Sequence, residues 1–132
     1  MLNPTALLPK PAQSQKLKIM NAIVNKVQLI GRLGMDPEMK KLDNGSTLAR
    51  LSLATDGSYK DKNGKKVEET HWHNLVCWNK TAELAEQLLA KGKEVAIEGK
   101  LIPKSYEDGE GNRRYVTEVK VDQFLLFGKK GE

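Results

Sequence analysis

With 132 residues, 39% of them hydrophobic and 30% charged, the chain suits one domain around one modest core, and no apolar run approaches the ~20 residues of a membrane helix. Its single cysteine, Cys77, excludes an internal disulfide and suits a reducing compartment, so a cytoplasmic location is expected. The net charge of +5 is weak evidence about partners: Lys10, Lys16 and Lys18 lie in an acid-free stretch over 1–20, and the remaining 19 basic side chains nearly balance 17 acidic ones.

Residues 1–20 hold Pro4, Pro9 and Pro11 and no acid, which predicts a disordered or extended arm. Ala6-Leu7-Leu8 is too short for the core of a secretory signal, and the lack of arginine counts against a mitochondrial presequence. The folded domain is expected over 21–128, with 129–132 a short end. Ala22 to Leu33 reads as a first strand in which Gly31 marks a bulge or sharp bend. Asp43-Asn44-Gly45 signals a turn. Leu48 to Ser58 reads as a second strand, with Ala49, Leu51, Leu53 and Thr55 on one face. Asn63-Gly64 lies in the tip of a hairpin leading into a third strand, Val67 to Trp78.

That hairpin, residues 57–66, carries four lysines and one aspartate around Tyr59. It reads equally as an electrostatic arm for phosphates or as a solvated tip. In the third strand Trp72 and Trp78 share parity with Thr70, Asn74 and Val76, so both rings face the same way on a mixed surface. Such a surface is a platform for flat partners, and every nucleobase has a π-face. Lys80 to Lys91 is helical, with Leu84/Leu88 and Ala85/Leu89 as its apolar stripe and Gly92 as its stop. Glu94 to Ile102 reads as a fourth strand closed by Pro103. Asp108 to Asn112 is a turn or flexible tip, and Arg113 to Phe127 is the last strand.

The order β-β-β-α-β-β is all-β with one helix between strands 3 and 4. This is the layout of the OB-fold, a five-stranded Greek-key barrel. Metal chemistry is not expected. His71, His73 and Cys77 share parity, but the first and last stand ~20 Å apart along an extended strand, and zinc needs ligands converging on one point. Asp43, Asp56 and Asp61 make no ligand set with Glu68 or Glu69. No cofactor, metal or enzymatic activity is therefore expected.

Several runs are recognisable. They include Asn25-Lys26-Val27-Gln28-Leu29-Ile30-Gly31-Arg32-Leu33-Gly34-Met35-Asp36-Pro37-Glu38 and Leu51-Ser52-Leu53-Ala54-Thr55 after Asn44-Gly45. Thr70-His71-Trp72-His73, Leu89-Ala90-Lys91-Gly92, Val95-Ala96-Ile97-Glu98-Gly99-Lys100-Leu101 and Arg114-Tyr115-Val116-Thr117-Glu118-Val119 continue the pattern. Together they resemble bacterial-type single-stranded DNA-binding proteins over about 21–127. The resemblance implies sequence-independent binding of single-stranded DNA in replication, recombination and repair. It places the base-stacking aromatics on Tyr59, Trp72, Trp78 and Tyr106. Tyrosine at 59 and 106 replaces the tryptophan of the best-known relatives, and Trp78 replaces their phenylalanine. Candidate phosphate contacts are Lys26, Arg32, Lys60, Lys62, Lys80, Lys91, Lys104 and Arg114, of which Lys62 and Arg114 match basic positions in the family.

The resemblance also implies a homo-oligomer, a tetramer in its bacterial members, paired along strand 1 and with His73 at a subunit contact. Cys77 is expected as a small buried apolar residue. Family members usually continue into a tail ending in an acidic, hydrophobic peptide that recruits replication and repair proteins. These residues stop at Gly128-Lys129-Lys130-Gly131-Glu132, so recruitment of that kind is not expected of them. Competing readings are an OB-fold replication-restart factor, which would generally lack the stacking aromatics, and an OB module for proteins or oligosaccharides.

Overall fold

Alternation of apolar and polar side chains decides how the strands lie. In β3 (Thr47–Asp56) Ala49, Leu51 and Leu53 are buried while Arg50 is exposed, and in β6 (Thr70–Trp78) Leu75 and Cys77 point inward. The computed structural model describes residues 23–127; the expected arm over 1–20 and the end over 129–132 lie outside the described residues.

The strands close into a ring. β1 (Val27–Leu33) runs antiparallel to β7 (Glu94–Glu107), and β7 to β8 (Arg113–Leu126). β8 meets β6 in a short parallel seam, Leu75↔Val119 and Val76↔Lys120. β6 pairs with β3 in unbroken register from Leu48↔Trp78 to Asp56↔Thr70, and β3 returns to β1 at Arg32↔Ala54 and Leu33↔Leu53. This closed ring of five strands, with helix α1 (Asn79–Leu88) between its third and fourth members, is an OB-fold. Leu33, Leu53, Leu75, Val95, Ile97, Val119 and Val121 fill the interior, and α1 adds Ala82 and Ala85 to the same cluster. Each fully buried aliphatic side chain contributes ~1.5–3 kcal/mol.

Closure depends on Gly31. A Cβ there would run into the backbone carbonyl of Ala54, so β1 can lie against β3 at that point only without a side chain. The β1–β7 register runs unbroken through Gly31↔Val95, so the glycine marks a close approach of two backbones and not a bulge in that ladder. One bulge interrupts the β7–β8 ladder: Asp122 is the extra residue between Glu98↔Gln123 and Gly99↔Val121.

Some element boundaries differ from the sequence reading. Pro103 does not end the fourth strand, because β7 continues to Glu107 with Pro103 opposite Thr117. Pairing with β1 stops at Val27↔Gly99, so beyond it β7 has a neighbour on one side only. The side-chain amide of Asn25 takes the outward edge at Leu101, donating to its C=O at 3.0 Å and accepting its N–H at 2.9 Å. Alternation turns Pro103 to that same outward side, where a missing N–H breaks no ladder. A short strand, β2 (Glu38–Lys41), pairs with the start of β3 and was not foreseen. The third strand's predicted start belongs to a separate small hairpin, β4 (Tyr59–Lys60) with β5 (Lys66–Val67).

The helix is shorter than expected, and half of its expected stripe faces the core: the Ala85/Leu89 pair does and the Leu84/Leu88 pair does not. Leu89 turns extended and is buried, ending the helix ahead of Gly92. Ala82, Ala85 and Leu89 make the inward contacts, and Leu84 and Leu88 are exposed. Small side chains let the helix sit close to the barrel, which leaves the larger leucines outside.

The β4–β5 and β7–β8 hairpins share one turn design. Asp61 and Asp108 each accept the N–H groups two and four residues on through Oδ1, at 2.9–3.0 Å. In each turn a glycine three residues on, Gly64 or Gly111, takes the left-handed conformation, with φ of 79° and 82°. Tyr59 and Tyr106 each stand two residues ahead of the turn aspartate, so the hairpins carry a tyrosine at equivalent places.

Candidate nucleic-acid interface

The unbroken β3–β6 register sets Trp72 and Trp78 on the same outward face, as the alternation predicts. Trp72 is 61% exposed and Trp78 half-buried. Arg32, Ala54 and Trp72 form one row across β1, β3 and β6. Gly34 lies under the Trp72 ring, where a Cβ would meet its Cζ3 edge. A second row is Arg50 and Val76. On the other side of the β6–β8 seam, Ile102 faces Glu118, Lys104 faces Val116 and Tyr106 faces Arg114 across the β7–β8 ladder. Their odd-numbered neighbours Gly99, Val119 and Val121 are buried, so this even set looks outward. One surface across β3, β6, β8 and β7 thus holds Trp72, Trp78 and Tyr106, with Tyr106 52% exposed.

Tyr59 is equally open, at 53%, but rides on the separate β4–β5 hairpin, opposite Val67. The most exposed aromatic, Tyr115 at 76%, faces the other side of the β7–β8 arm, opposite Ser105.

The candidate cations divide by what they touch. Lys26 pairs with Glu98 at 3.2 Å, Lys104 with Glu118 at 3.2 Å and Arg114 with Asp108 at 2.9 Å. Arg114, with the backbone N–H groups of Asn112 and Glu110, holds the Asp108 carboxyl below the usual carboxylate range. Arg32 donates to the Gly92 carbonyl at 3.1 Å. Lys60 and Lys62 are exposed on the β4–β5 hairpin. Lys80 and Lys91 are exposed at the start of α1 and in the loop beyond it, off the strand ladder that carries the aromatic face. Arg50 and Glu118, which the sequence reading did not single out, join this face through a direct pair at 3.0 Å.

His73 and Cys77 lie off that surface, and Asn79 lines its edge beside Trp78. His73 is half-buried, its Nε2 2.9 Å from Thr55 Oγ1. Cys77 is fully buried, and burial pushes its thiol up to about 12. Asn79 turns the chain from β6 into α1 with φ 49°, and its Oδ1 accepts the Thr47 N–H at 3.0 Å. No group of three or more metal-ligating side chains converges among the described residues. No helix among them is long and apolar enough to cross a membrane.

A barrel of this topology with aromatics and cations on one outward face belongs to the OB-fold binding proteins. The model of the single-strand binding protein family matches residues 24–127, and the chain belongs to that family. Single-stranded DNA-binding protein 1 of Xylella fastidiosa is 40% identical over 110 residues, which is 83% of this chain and 81% of that protein. Its namesake in Chlorobaculum tepidum is 40% identical over 108 residues, 81% of this chain and 67% of that one. Among solved structures, a Plasmodium falciparum SSB in complex with single-stranded DNA superposes with a TM-score of 0.73 at 28% identity, covering 79% of this chain and 95% of that chain. A deletion mutant of the Thermus aquaticus single-stranded DNA-binding protein gives 0.71 at 27% identity, covering 81% of this chain and 52% of that one.

Proposed function

We propose that this protein binds single-stranded DNA without regard to sequence and protects it during replication, recombination and repair. The observation that carries the reading is the outward face on which Trp72, Trp78 and Tyr106 lie among Arg32, Arg50, Lys104 and Arg114. Bases of an unpaired strand stack on the rings, and stacking is indifferent to base identity. Phosphates meet the cations and release condensed counterions, so affinity falls as salt rises. Tyr59, Lys60 and Lys62 extend the same chemistry onto the β4–β5 hairpin, and Lys26, Lys80 and Lys91 add positive charge farther from the rings. The work is binding, with no bond made or broken.

The chain acts as a homo-oligomer, in keeping with the tetramers of its family. Ile30 and Leu125 are exposed on either side of Ala96 across β1, β7 and β8, an apolar strip suited to a second copy. His73 is assigned to a subunit contact by family likeness. A cytoplasmic, nucleoid-associated protein fits this role.

Titration with oligo-dT, followed by tryptophan emission, tests the reading. Strong quenching at site sizes of tens of nucleotides supports it; unchanged emission overturns it. Solution mass with and without the oligonucleotide reads the assembly. Replacing Lys60 and Lys62 together by glutamine is expected to flatten the slope of log K against log salt by up to about 1.4, at ~0.7 for each phosphate contact on a single strand. An unchanged slope would return that hairpin to the role of a solvated tip.

A further inference from the structure

The β7–β8 arm carries a second surface, which the proposed binding face does not use. β7 loses its β1 neighbour at Val27↔Gly99, and β8 meets β6 only at Leu75↔Val119 and Val76↔Lys120. Over 103–107 and 113–117 the arm is therefore a free two-stranded ribbon, open on both faces. Alternation puts Tyr106 and Arg114 on one face and Ser105, Arg113 and Tyr115 on the other. Tyr115, 76% exposed, stands directly opposite Ser105. Arg113 Nη1 donates to Ser105 Oγ at 2.9 Å, which brings the guanidinium diagonally across the ribbon to the residue that faces the tyrosine. Directly opposed residues have Cβ atoms ~5 Å apart, so ring and guanidinium are near neighbours. Glu107 is the one carboxylate of the ribbon on this face. It lies opposite Arg113, yet Arg113 makes no ion pair among the described residues. Arg114, on the other face, is held by Asp108 at 2.9 Å. The freer guanidinium is the one on the reverse side.

Neither side chain has a structural task there. Truncating Tyr115 leaves no cavity, because nothing encloses it. Strand propensity is met as well by valine or threonine, as at Val116 and Thr117. An open ring beside an unpaired guanidinium suits a single strand: the ring offers a π-face to a base, and the cation takes a neighbouring phosphate. The ribbon is narrow, with strand axes ~5 Å apart. A strand leaving Tyr106 and Arg114 has only to turn over its edge to reach Tyr115 and Arg113. A protein partner is served less well. Besides Tyr115, the apolar side chains of this face are Leu101 and Pro103, too few for the centre of a ~1,000 Å² interface. The apolar strip at Ile30, Ala96 and Leu125 lies at the opposite end of β7.

We propose that Tyr115 and Arg113 form a further contact for single-stranded DNA on the reverse face of the arm. Tyr115 stacks on a base, Arg113 binds a phosphate, and the strand folds over the arm after Tyr106. This rests on the single-strand reading above and lengthens the DNA held beyond the face of Trp72, Trp78 and Tyr106. The family likeness assigns no role to Tyr115 or Arg113.

Oligo-dT of increasing length, titrated against the wild-type protein, Tyr115→Ala, Tyr115→Phe and Arg113→Gln, tests this. Tryptophan emission reads all four, since each keeps Trp72 and Trp78. On the shortest strands that bind, the four proteins are expected to match. On strands long enough to round the arm, Tyr115→Ala is expected to bind about fivefold or more weakly, the lower bound for one stacked base. Tyr115→Phe keeps the ring and is expected to bind as the wild type does. Arg113→Gln is expected to lower the salt slope on the long strands by about 0.7, the share of one phosphate. A Tyr115→Ala protein that matches the wild type at every length overturns the proposal, as does a loss of equal size at every length. An unchanged slope for Arg113→Gln overturns the phosphate contact. If the solution mass of Tyr115→Ala without DNA falls while its affinity is kept, the face joins copies of the chain, and the proposal is overturned. A wild type that binds no strand overturns the single-strand reading itself, and this inference with it.

Discussion

Trp72→Ala is expected to weaken binding of oligo-dT by ~1–3 kcal/mol while leaving the salt slope nearly unchanged. Trp72 is the most exposed of the aromatics on the proposed binding face, at 61%, so its truncation leaves no hole in the core. Its ring rests over Gly34, a surface that positions it without enclosing it. The folded protein should therefore keep its thermal stability, and the lost free energy should come from the missing base contact. Titration of the variant across a salt series reads both quantities. A loss well below ~1 kcal/mol would place the strand elsewhere. A fall in the salt slope as large as that of the Lys60/Lys62 pair would undo the division of labour between rings and cations.

Gly31→Val is expected to destabilise the fold by ~3 kcal/mol or more, at or above the upper end of ordinary overpacking. The new side chain would be driven into the backbone carbonyl of Ala54, where no rotamer change can relieve it. Two residue pairs alone, Arg32↔Ala54 and Leu33↔Leu53, join β1 to β3. Separating them opens the barrel at its thinnest antiparallel junction, beside the Arg32–Ala54–Trp72 row. Urea unfolding measures the loss, and strand binding should weaken alongside it as that row shifts. A cost below ~1 kcal/mol would mean that β1 and β3 can part there without consequence.

Much of this architecture was legible because it depends on local pattern. Period-two alternation marks β3 and the wall of β6, and Asn63-Gly64 and the Asp108–Asn112 stretch mark the two hairpin tips. The shared face of Trp72 and Trp78 followed from parity alone. What stayed hidden depends on which strands become neighbours. Pro103 reads as a strand end until one sees that β1 has already stopped at Val27↔Gly99, which leaves the proline on an open side. Leu84/Leu88 and Ala85/Leu89 have the same helical spacing, and close packing on the barrel selects the alanine side, with Ala82 beside it, and leaves the two leucines outside. Lys104 could be suspected from its charge. Its partnership with Glu118 and Arg50 joins residues from three strands, and no spacing along the chain reports it.

The Asn25 amide and Pro103 together blunt the base of the outer side of the long β7 arm, at Leu101 and Pro103. One backbone pair is already occupied at Leu101, and the next outward donor does not exist. An exposed β-edge is a template for adding further chains, and blunting it is how soluble sheet proteins avoid fibrils. Copies crowded side by side along a stretch of DNA would bring such edges together at high local concentration. Blunting the arm at Leu101 and Pro103 would limit such pairing between neighbouring copies.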